Sequence, residues 1–197
     1  MHSFRIKSNP LALLGPAATS LKEWKHVYGT KDFKSVAFPY FLKDIYNEES
    51  NTSKTPDWTL WKIEYKYNSE LKALYQSKNL LSGFFDRLLE NVEYIFGVGI
   101  VYGENNSNGI MIVALIRGGD YKQVFNVAPD WDLYDYTQLS VHNEDHLKLI
   151  ESVWDKGNNI ANEAITGSSA CLPIYSRTVL TSGLGNRMEE TYEMESE

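Results

Sequence analysis

The sequence is poor in cysteine and has no long apolar run. Cys171 is the only cysteine among 197 residues, so no disulfide can form within the chain, and this usage is typical of a reducing compartment. No stretch approaches the roughly 18 consecutive apolar residues of a membrane span, and the N-terminal segment has no secretory signal. These features predict a cytoplasmic protein, and we interpret the two glycosylation sequons, beginning at Asn51 and Asn105, as coincidental.

An excess of positive charge is also missing. The formal net charge is −7, which argues against a broad nucleic-acid-binding surface, since such surfaces are normally basic. Neither the Walker A pattern of nucleotide-binding loops nor the G-x-S-x-G elbow of hydrolases occurs. Gly97 and Gly99 lie within an apolar run instead of preceding a helix, so we interpret them as packing positions and not as a phosphate-binding loop.

Residues 94–117 are the most distinctive segment of the chain. Two apolar runs, rich in β-branched and aromatic residues, flank a polar turn at 104–109. This pattern indicates strand, turn and strand, not a helix. Because both faces of each run are apolar, we expect the hairpin to lie in the middle of a sheet that is covered on both sides.

The register of this hairpin determines which residues share a face. If Gly103 pairs with Ile110, one face carries the large side chains of Phe96, Val98, Ile100, Tyr102, Met111, Val113 and Leu115. The opposite face carries the small residues Gly97, Gly99 and Ala114. A helix can approach a sheet closely where side chains are small. We expect this patch to be covered by a helix that begins near Ser77 and carries an apolar stripe at 80–89.

Helical and strand patterns also occur on both sides of the hairpin. A capping box begins a helix at Ser20, a second helix should contain Pro39 in its first turn, and Asn143 caps a last helix. Further strands are predicted at about 60–66 and 121–127. The fold class is therefore predicted to be α+β, an antiparallel sheet packed with several α-helices.

Three parts can be distinguished along the chain. Residues 1–18 are predicted to be a lead-in segment, and residues 19–157 one domain with a surface loop at 47–57. Residues 158–197 have poor periodicity and many Gly, Ser and Thr residues, so we expect a divergent and partly disordered tail.

Two groups of side chains could carry chemistry. His142 and His146 have the spacing of a pair of metal ligands, although no motif supplies a third ligand, and a solvated helix start is the favoured alternative. The carboxylates of Asp130, Asp132 and Asp135 could perform acid–base catalysis. A turn with solvated acids is the favoured interpretation of these three residues.

Rings and positive charges alternate in one predicted strand. Trp61, Tyr65 and Tyr67 are interleaved with Lys62 and Lys66, a composition typical of a platform that stacks single-stranded nucleic acid. The same composition is typical of a half-buried strand whose lysines face water. The acidic balance of the chain favours the second interpretation.

Several motifs occur in the order found in one known family. They are Asn9-Pro-Leu11, Leu21-Lys-Glu-Trp-Lys25, Ser35-Val-Ala-Phe-Pro-Tyr-Phe41, Asn79-Leu-Leu-Ser-Gly-Phe-Phe-Asp-Arg87, Tyr102-Gly-Glu-Asn-Asn106, Ile116-Arg-Gly118 and Phe125-Asn-Val-Ala-Pro-Asp-Trp131, followed by Tyr134. On these motifs the chain resembles the conserved C-terminal domain of translation elongation factor 1-gamma, with details similar to fungal members. Residues 48–54 resemble an insertion into the family pattern, and the tail departs from it.

The resemblance implies a non-catalytic scaffold in the elongation factor 1B complex, which recycles elongation factor 1A during translation. The expected partners are the exchange subunits and elongation factor 1A, in the context of a longer chain with a glutathione-transferase-like domain and a Lys-rich linker. No cofactor, small-molecule substrate or membrane is expected. An RNA- or ribonucleoprotein-binding module is the alternative, and a metal-dependent hydrolase is ranked below it.

Polar and aromatic members of the matched motifs are the candidates for a partner-binding surface. They are Arg87, Asn105, Asn106, Arg117, Asp130, Trp131 and Tyr134. The alternative is a structural role for each: an ion pair for Arg87, the hairpin turn for the two asparagines, and the core for Trp131. Exposure of these side chains on one shared face would favour binding.

Overall fold

An antiparallel sheet lies at the centre of the computed structural model, which describes residues 9–46, 56–160 and 170–174. Its strands are β1 Trp58–Tyr65, β2 Ile95–Glu104, β3 Ser107–Arg117, β4 Tyr134–Leu139 and β5 Ala170–Ile174, in the spatial order β4-β1-β3-β2-β5. The α-helices of the described ranges are α1 Leu21–Thr30, α2 Phe38–Tyr40, α3 Leu74–Arg87, α4 Tyr121–Phe125 and α5 Glu144–Ile160. The predicted α+β class is confirmed. The insertion predicted at 48–54 lies outside the described residues.

Helix starts follow the caps that the sequence contains. The Ser20 side chain accepts the N–H of Glu23 at the start of α1, as the capping box predicts. The Asn143 side chain accepts the N–H groups of Asp145 and His146 at the start of α5. Short 3₁₀-helices complete the chain path, at Pro10–Leu14, Asn68–Glu70, Leu88–Asn91 and Trp131–Leu133.

Pro39 is the second residue of α2, as predicted for a first turn, but α2 continues a helical segment that already begins at Phe33. Helix α2 is flanked by the π-helical turns Phe33–Ala37 and Phe41–Ile45. The N–H of Phe38 donates to the carbonyl of Phe33, five residues earlier. A proline has no N–H and crowds the carbonyl four residues before it, and the wider π turns are compatible with both restrictions.

The hairpin of β2 and β3 has a shorter turn than the sequence pattern suggested. Gly103 pairs with Asn108 and not with Ile110, so only Asn105 and Asn106 form the turn. Asn106 has a positive φ of 66°, a conformation that asparagine tolerates better than most residues do. The assumed register was therefore wrong by two residues, but both predicted faces are correct because side chains alternate with a period of two.

One face of the sheet packs against α3 at Gly99. A Cβ placed on Gly99 would lie 2.6 Å from Cζ of Phe85 and 2.8 Å from Cδ1 of Leu81. The close approach of this helix was predicted and is confirmed at Gly99. Helix α3 begins at Leu74, three residues before the predicted start near Ser77, and 3₁₀ geometry continues it to Asn91.

The other face of the sheet is covered by an aromatic cluster from α1, the segment around α2, and α5. Phe96 of β2 contacts the rings of Trp24 and Trp154 with centroid distances of 5.3 and 5.0 Å, and Phe41 contacts Trp154 at 4.9 Å. The indole N–H of Trp154 donates to the carbonyl of Val113 at 3.0 Å. Both faces of the hairpin are therefore buried, as its continuous apolar runs predicted.

The strand predicted at 121–127 is wrong, because Tyr121–Phe125 form helix α4. The Asp120 side chain accepts the N–H of Lys122 at 3.0 Å and caps this helix. Tyr121, Val124 and Phe125 have helical spacing, and the last two are fully buried. The strand that does extend this side of the sheet is β4, which pairs with β1 from Leu60↔Leu139 to Tyr65↔Tyr134.

The opposite side of the sheet is extended by β5. It pairs with β2 from Gly97↔Ile174 to Val101↔Ala170. This strand lies within the range 158–197 that was predicted to be a tail, so the sheet includes part of that range. Residues 161–169 and 175–197 lie outside the described residues. Within the described residues, no helix is long and apolar enough to cross a membrane.

The side chain of Lys25 connects α1 to the chain that leads into β2. Its ammonium group donates a hydrogen bond to the carbonyl of Val92. Burial lowers the pKa of Lys25 from 10.5 to about 8, and the nearby Glu93 carboxylate opposes that shift. The folded protein therefore releases this proton at a lower pH than the unfolded chain does.

The packing at Gly99 predicts that Gly99→Ala destabilises the protein. The added methyl group overlaps Phe85 and Leu81, so the free energy of unfolding should fall by about 1–3 kcal/mol in urea denaturation. Gly119→Ala is the control, since a Cβ there would lie 3.7 Å from Pro56 and should change stability by less than about 0.5 kcal/mol. Equal losses in the two variants would contradict the predicted overlap.

The lowered pKa of Lys25 predicts a pH-dependent stability. Between pH 8 and about 9.5 the unfolded chain holds more protons at Lys25 than the folded protein, so the free energy of unfolding should rise with pH by about 1 kcal/mol. Urea denaturation across this range should show the rise in the native chain and in Lys22→Met, which alters an exposed lysine of α1. The rise should be absent in Lys25→Met, and its persistence there would refute the assignment.

Candidate partner-binding surface

A bidentate ion pair joins the end of α3 to the loop before β4. Arg87, the last residue of α3, donates from Nε to Asp130 Oδ1 at 2.8 Å and from Nη2 to Asp130 Oδ2 at 2.5 Å. Gly83, four residues earlier, leaves room for the guanidinium, since a Cβ there would lie 3.2 Å from Nη1. The Arg87 side chain remains 38% exposed, so one edge of the paired guanidinium faces solvent.

Trp131 and Tyr134 follow Asp130 on the same loop. Trp131 is half-buried, its ring contacts Tyr121 and Tyr136, and its carbonyl accepts the hydroxyl of Tyr136 at 2.9 Å. Tyr134 is buried and stacks on Phe84 with a centroid distance of 4.3 Å. We refer to Arg87, Asp130, Trp131 and Tyr134 as the Arg87 cluster.

The hydroxyl of Tyr134 makes no hydrogen bond within the described part of the chain. Burial raises the pKa of Tyr134, and the Asp130 carboxylate raises it further. Burial also raises the pKa of Tyr136, to which Tyr134 and Tyr121 add. Both phenols therefore stay protonated at neutral pH and can donate hydrogen bonds but not act as bases.

Asn105 and Asn106 lie at the turn of the hairpin. The Asn105 side chain accepts the N–H of Leu74 at 3.0 Å, and the N–H of Asn106 donates to the carbonyl of Lys72 at 2.5 Å. Ala73, which precedes α3, supplies no side-chain cap. The hairpin turn thus provides the capping acceptor for the first turn of α3.

Arg117 lies at the opposite end of β3, about 33 Å along the strand from the turn. Its side chain is buried and forms an ion pair with Asp57 at 2.8 Å. It also donates to the carbonyls of Asp57 and Leu14, and its guanidinium lies 5.7 Å from the centre of the Trp58 ring. Arg117 therefore ties β3 to β1 and to the N-terminal segment.

The seven predicted residues thus form three groups and not one exposed surface. The Arg87 cluster lies between α3 and the beginning of β4, the asparagines lie at the hairpin turn, and Arg117 lies at the far end of β3. Arg117 and Tyr134 are buried. Of the seven, the residues with solvent contact are Arg87, Asn105, Asn106, Asp130 and Trp131.

The residues proposed for nucleic-acid stacking do not form an open platform. Trp61 is only 8% exposed, because its ring packs against Tyr121 of α4 at 4.9 Å. Lys62 forms an ion pair with Glu64 at 2.7 Å, and the ammonium group of Lys66 donates to the carbonyl of Asp132. The helix that replaces the predicted strand 121–127 thus covers the Trp61 ring of the hypothetical platform.

The two histidines do not acquire a metal-binding partner in the described ranges. The Nδ1 atom of His146 accepts the N–H of Ser140 at 3.1 Å, which stabilises the start of α5. Among residues 9–46, 56–160 and 170–174, no group of three His, Cys, Asp or Glu side chains could hold a metal ion. The third ligand that the hydrolase hypothesis requires is therefore missing from this part of the chain.

Comparison with known proteins identifies the family. The model of the family described as "Elongation factor 1 gamma, conserved domain" matches residues 6–120, more than half of the chain. The chain belongs to the elongation factor 1-gamma family.

Relatives in the elongation factor 1-gamma family match most of this chain. It is similar to elongation factor 1-gamma 1 of Saccharomyces cerevisiae, with 44% identity over 77% of the chain and 35% of the relative. Elongation factor 1-gamma of Schizosaccharomyces pombe is 33% identical over 83% of this chain and 38% of the relative. Elongation factor 1-gamma of Homo sapiens is 32% identical over 72% of this chain and 31% of the relative. The chain thus spans about a third of the length of these relatives.

Two tyrosines near the hairpin turn of this elongation factor 1-gamma domain were not predicted as surface candidates. Tyr75 is 64% exposed in the first turn of α3, and Tyr102 is 40% exposed where β2 leaves the covered part of the sheet. One pattern indicates Tyr102, since it lies two residues before the polar segment 104–109. Tyr75 gave no such signal, because its spacing to Leu71 and Leu74 is that of a buried helix face.

The capping contact of Asn105 predicts a loss of stability in Asn105→Ala. Removing the acceptor for the Leu74 N–H should lower the free energy of unfolding by about 1 kcal/mol, measured by urea denaturation. Asn105→Asp keeps an acceptor oxygen at the helix N-terminus and should stay close to the native value. Asn106→Gly is a second control because glycine accepts a positive φ. An unchanged stability in Asn105→Ala would show that the contact has no capping role.

Proposed function

We propose that this chain is a non-catalytic interaction domain of the elongation factor 1B complex and supports translation elongation in the cytoplasm. The observation that carries the proposal is the family match over residues 6–120. The proposed partners are elongation factor 1A and the exchange subunits. Nucleotide exchange itself is assigned to the exchange subunits and not to this chain. Because the chain spans about a third of its relatives, the role proposed is that of one domain in the complex.

The Arg87 cluster is the part of the predicted surface that best suits contact with a partner. Its ion pair holds the loop that carries Trp131, and arginine and tryptophan are the residue types most enriched among interface hot spots. A surface that is already fixed before binding loses less conformational entropy on association. Asn105, Asn106 and Arg117 are assigned structural roles, because each holds neighbouring segments together.

The proposal is tested by the capture of named subunits. The tagged chain is incubated with purified elongation factor 1A and the exchange subunits, separately and together, and bound protein is quantified. We expect retention of at least one subunit. Asp132→Lys, beside Trp131, should weaken that retention by about five- to ten-fold because it reverses an exposed charge on the surface.

Asp44→Lys is the matched control for this experiment. It makes the same chemical change at an exposed position of the π-helical turn after α2, on the other side of the sheet, and should leave retention unchanged. Retention of none of the subunits would refute the proposed role. Release of GDP from elongation factor 1A that is accelerated by this chain alone would refute the non-catalytic assignment.

A further inference from the structure

Strand β4 forms one edge of the sheet, and its hydrogen-bonding pattern defines which backbone groups point outward. The N–H of Lys66 donates to the carbonyl of Leu133 at 3.0 Å, directly beyond the pair Tyr65↔Tyr134. Hydrogen-bonded and non-hydrogen-bonded pairs alternate in an antiparallel ladder. The backbone groups of Asp135 and Thr137 therefore point toward β1, whereas those of Tyr136 and Gln138 point away from the sheet.

The outward groups of β4 are open only in the middle of the strand. At one end, the N–H of Tyr134 donates to the carbonyl of Trp131. At the other end, the next outward N–H, that of Ser140, donates to Nδ1 of His146. Within the described residues, the backbone N–H and C=O groups of Tyr136 and Gln138 make no hydrogen bond. We refer to these four groups as the β4 edge.

The β4 edge has few of the devices that protect natural sheet edges. Strand β4 pairs with β1 without a bulge over its full length, and it contains no proline and no lysine. Bulges, prolines and lysines are the usual features that prevent another strand from adding to an edge. The backbone geometry of β4 is therefore suitable for the addition of an extended segment.

Acidic side chains lie at both ends of this edge. Asp132 and Asp135 are exposed at its beginning, and Glu144 and Asp145 are exposed just beyond its end. The nearby lysines neutralise these acids only weakly. The ammonium nitrogen of Lys66 lies 3.9 Å from a carboxylate oxygen of Asp135, and that of Lys148 lies 4.0 Å from one of Glu144. All four side chains are exposed. This charge distribution favours a basic segment and disfavours a second acidic copy of this chain.

We propose that the β4 edge binds an extended, basic peptide segment of a partner protein, which adds to the sheet next to Tyr136 and Gln138. The N–H and C=O groups of these two residues supply the main-chain hydrogen bonds, and Asp132, Asp135 and Glu144 select lysine or arginine side chains. This inference deepens the proposed interaction role, because it names a chemical class of partner and the strand that receives it.

Amide hydrogen exchange and peptide binding test this inference. The probe is a blocked peptide of about eight alternating lysine and valine residues, compared with one of alternating glutamate and valine. In the free protein, the amides of Tyr136 and Gln138 should exchange at least about ten-fold faster than those of Asp135 and Thr137. The lysine peptide should slow hydrogen exchange at the amides of Tyr136 and Gln138 by about ten-fold or more. The glutamate peptide should bind at least about ten-fold more weakly than the lysine peptide.

Two comparisons separate strand addition from other forms of binding. Gln138→Pro removes an outward N–H but no hydrogen bond between β4 and β1. It should weaken the binding of the lysine peptide by about ten-fold, whereas Gln138→Ala should leave that binding unchanged. A lysine peptide that is N-methylated at every residue has no N–H donor on either edge, so it cannot form the hydrogen bonds of strand addition and should not bind the native chain. This second comparison does not depend on how well Gln138→Pro folds.

Several results would overturn the inference. The first is that the lysine peptide does not bind at about 1 mM. The second is that the N-methylated peptide binds as tightly as the unmethylated one. The third is that, without any peptide, the amides of Tyr136 and Gln138 become more protected from exchange as the protein concentration rises. The last result would assign the edge to a second copy of this chain. Because the probe is a synthetic peptide, these failures would leave the capture of elongation factor subunits unaffected, and a failure of that capture would not alter the peptide result.

Discussion

The close contact between α3 and the sheet at Gly99 is the constraint on which the rest of the structure depends. Since no side chain separates them there, Leu81 and Phe85 rest directly on β2. That contact sets how closely the middle of α3 approaches β2. Phe84, which stacks on Tyr134, and Arg87, which pairs with Asp130, lie on the same part of the helix and are positioned with it. A small residue in the core thus positions the polar cluster at the surface.

Buried polar residues hold distant segments of the chain together. Arg117 joins β3 to β1 and to the N-terminal segment through a buried ion pair with Asp57 and two carbonyls. Asn91, also buried, accepts from Asn9 and donates to the carbonyl of Val124, so it connects the N-terminal segment to α4. Such groups are costly to bury unless each finds a partner. The presence of these polar side chains in the interior is thus explained by the segments that they join.

Features that depend on the spacing of apolar residues along the chain were largely predicted from the sequence. Features that depend on contacts between distant residues were not. The two faces of the hairpin were predicted correctly, although its register was not, because a slip of two residues preserves the alternation. Helix α4 was mistaken for a strand because five residues hold little more than one helical turn of signal. The pairing of Arg87 with Asp130 joins residues 43 positions apart. No local pattern indicates such a contact, so the division of the candidate surface into three groups could not be predicted.

The cap that Asn105 supplies to α3 has a consequence for the order of folding. The acceptor for the Leu74 N–H lies 31 positions later in the chain. During synthesis the helix therefore leaves the ribosome before its cap does, and its first turn remains frayed until the hairpin turn has been made and has closed. The helix start and the hairpin should then become ordered in one cooperative step. Helix α3 thus cannot complete its first turn ahead of the strands that it covers.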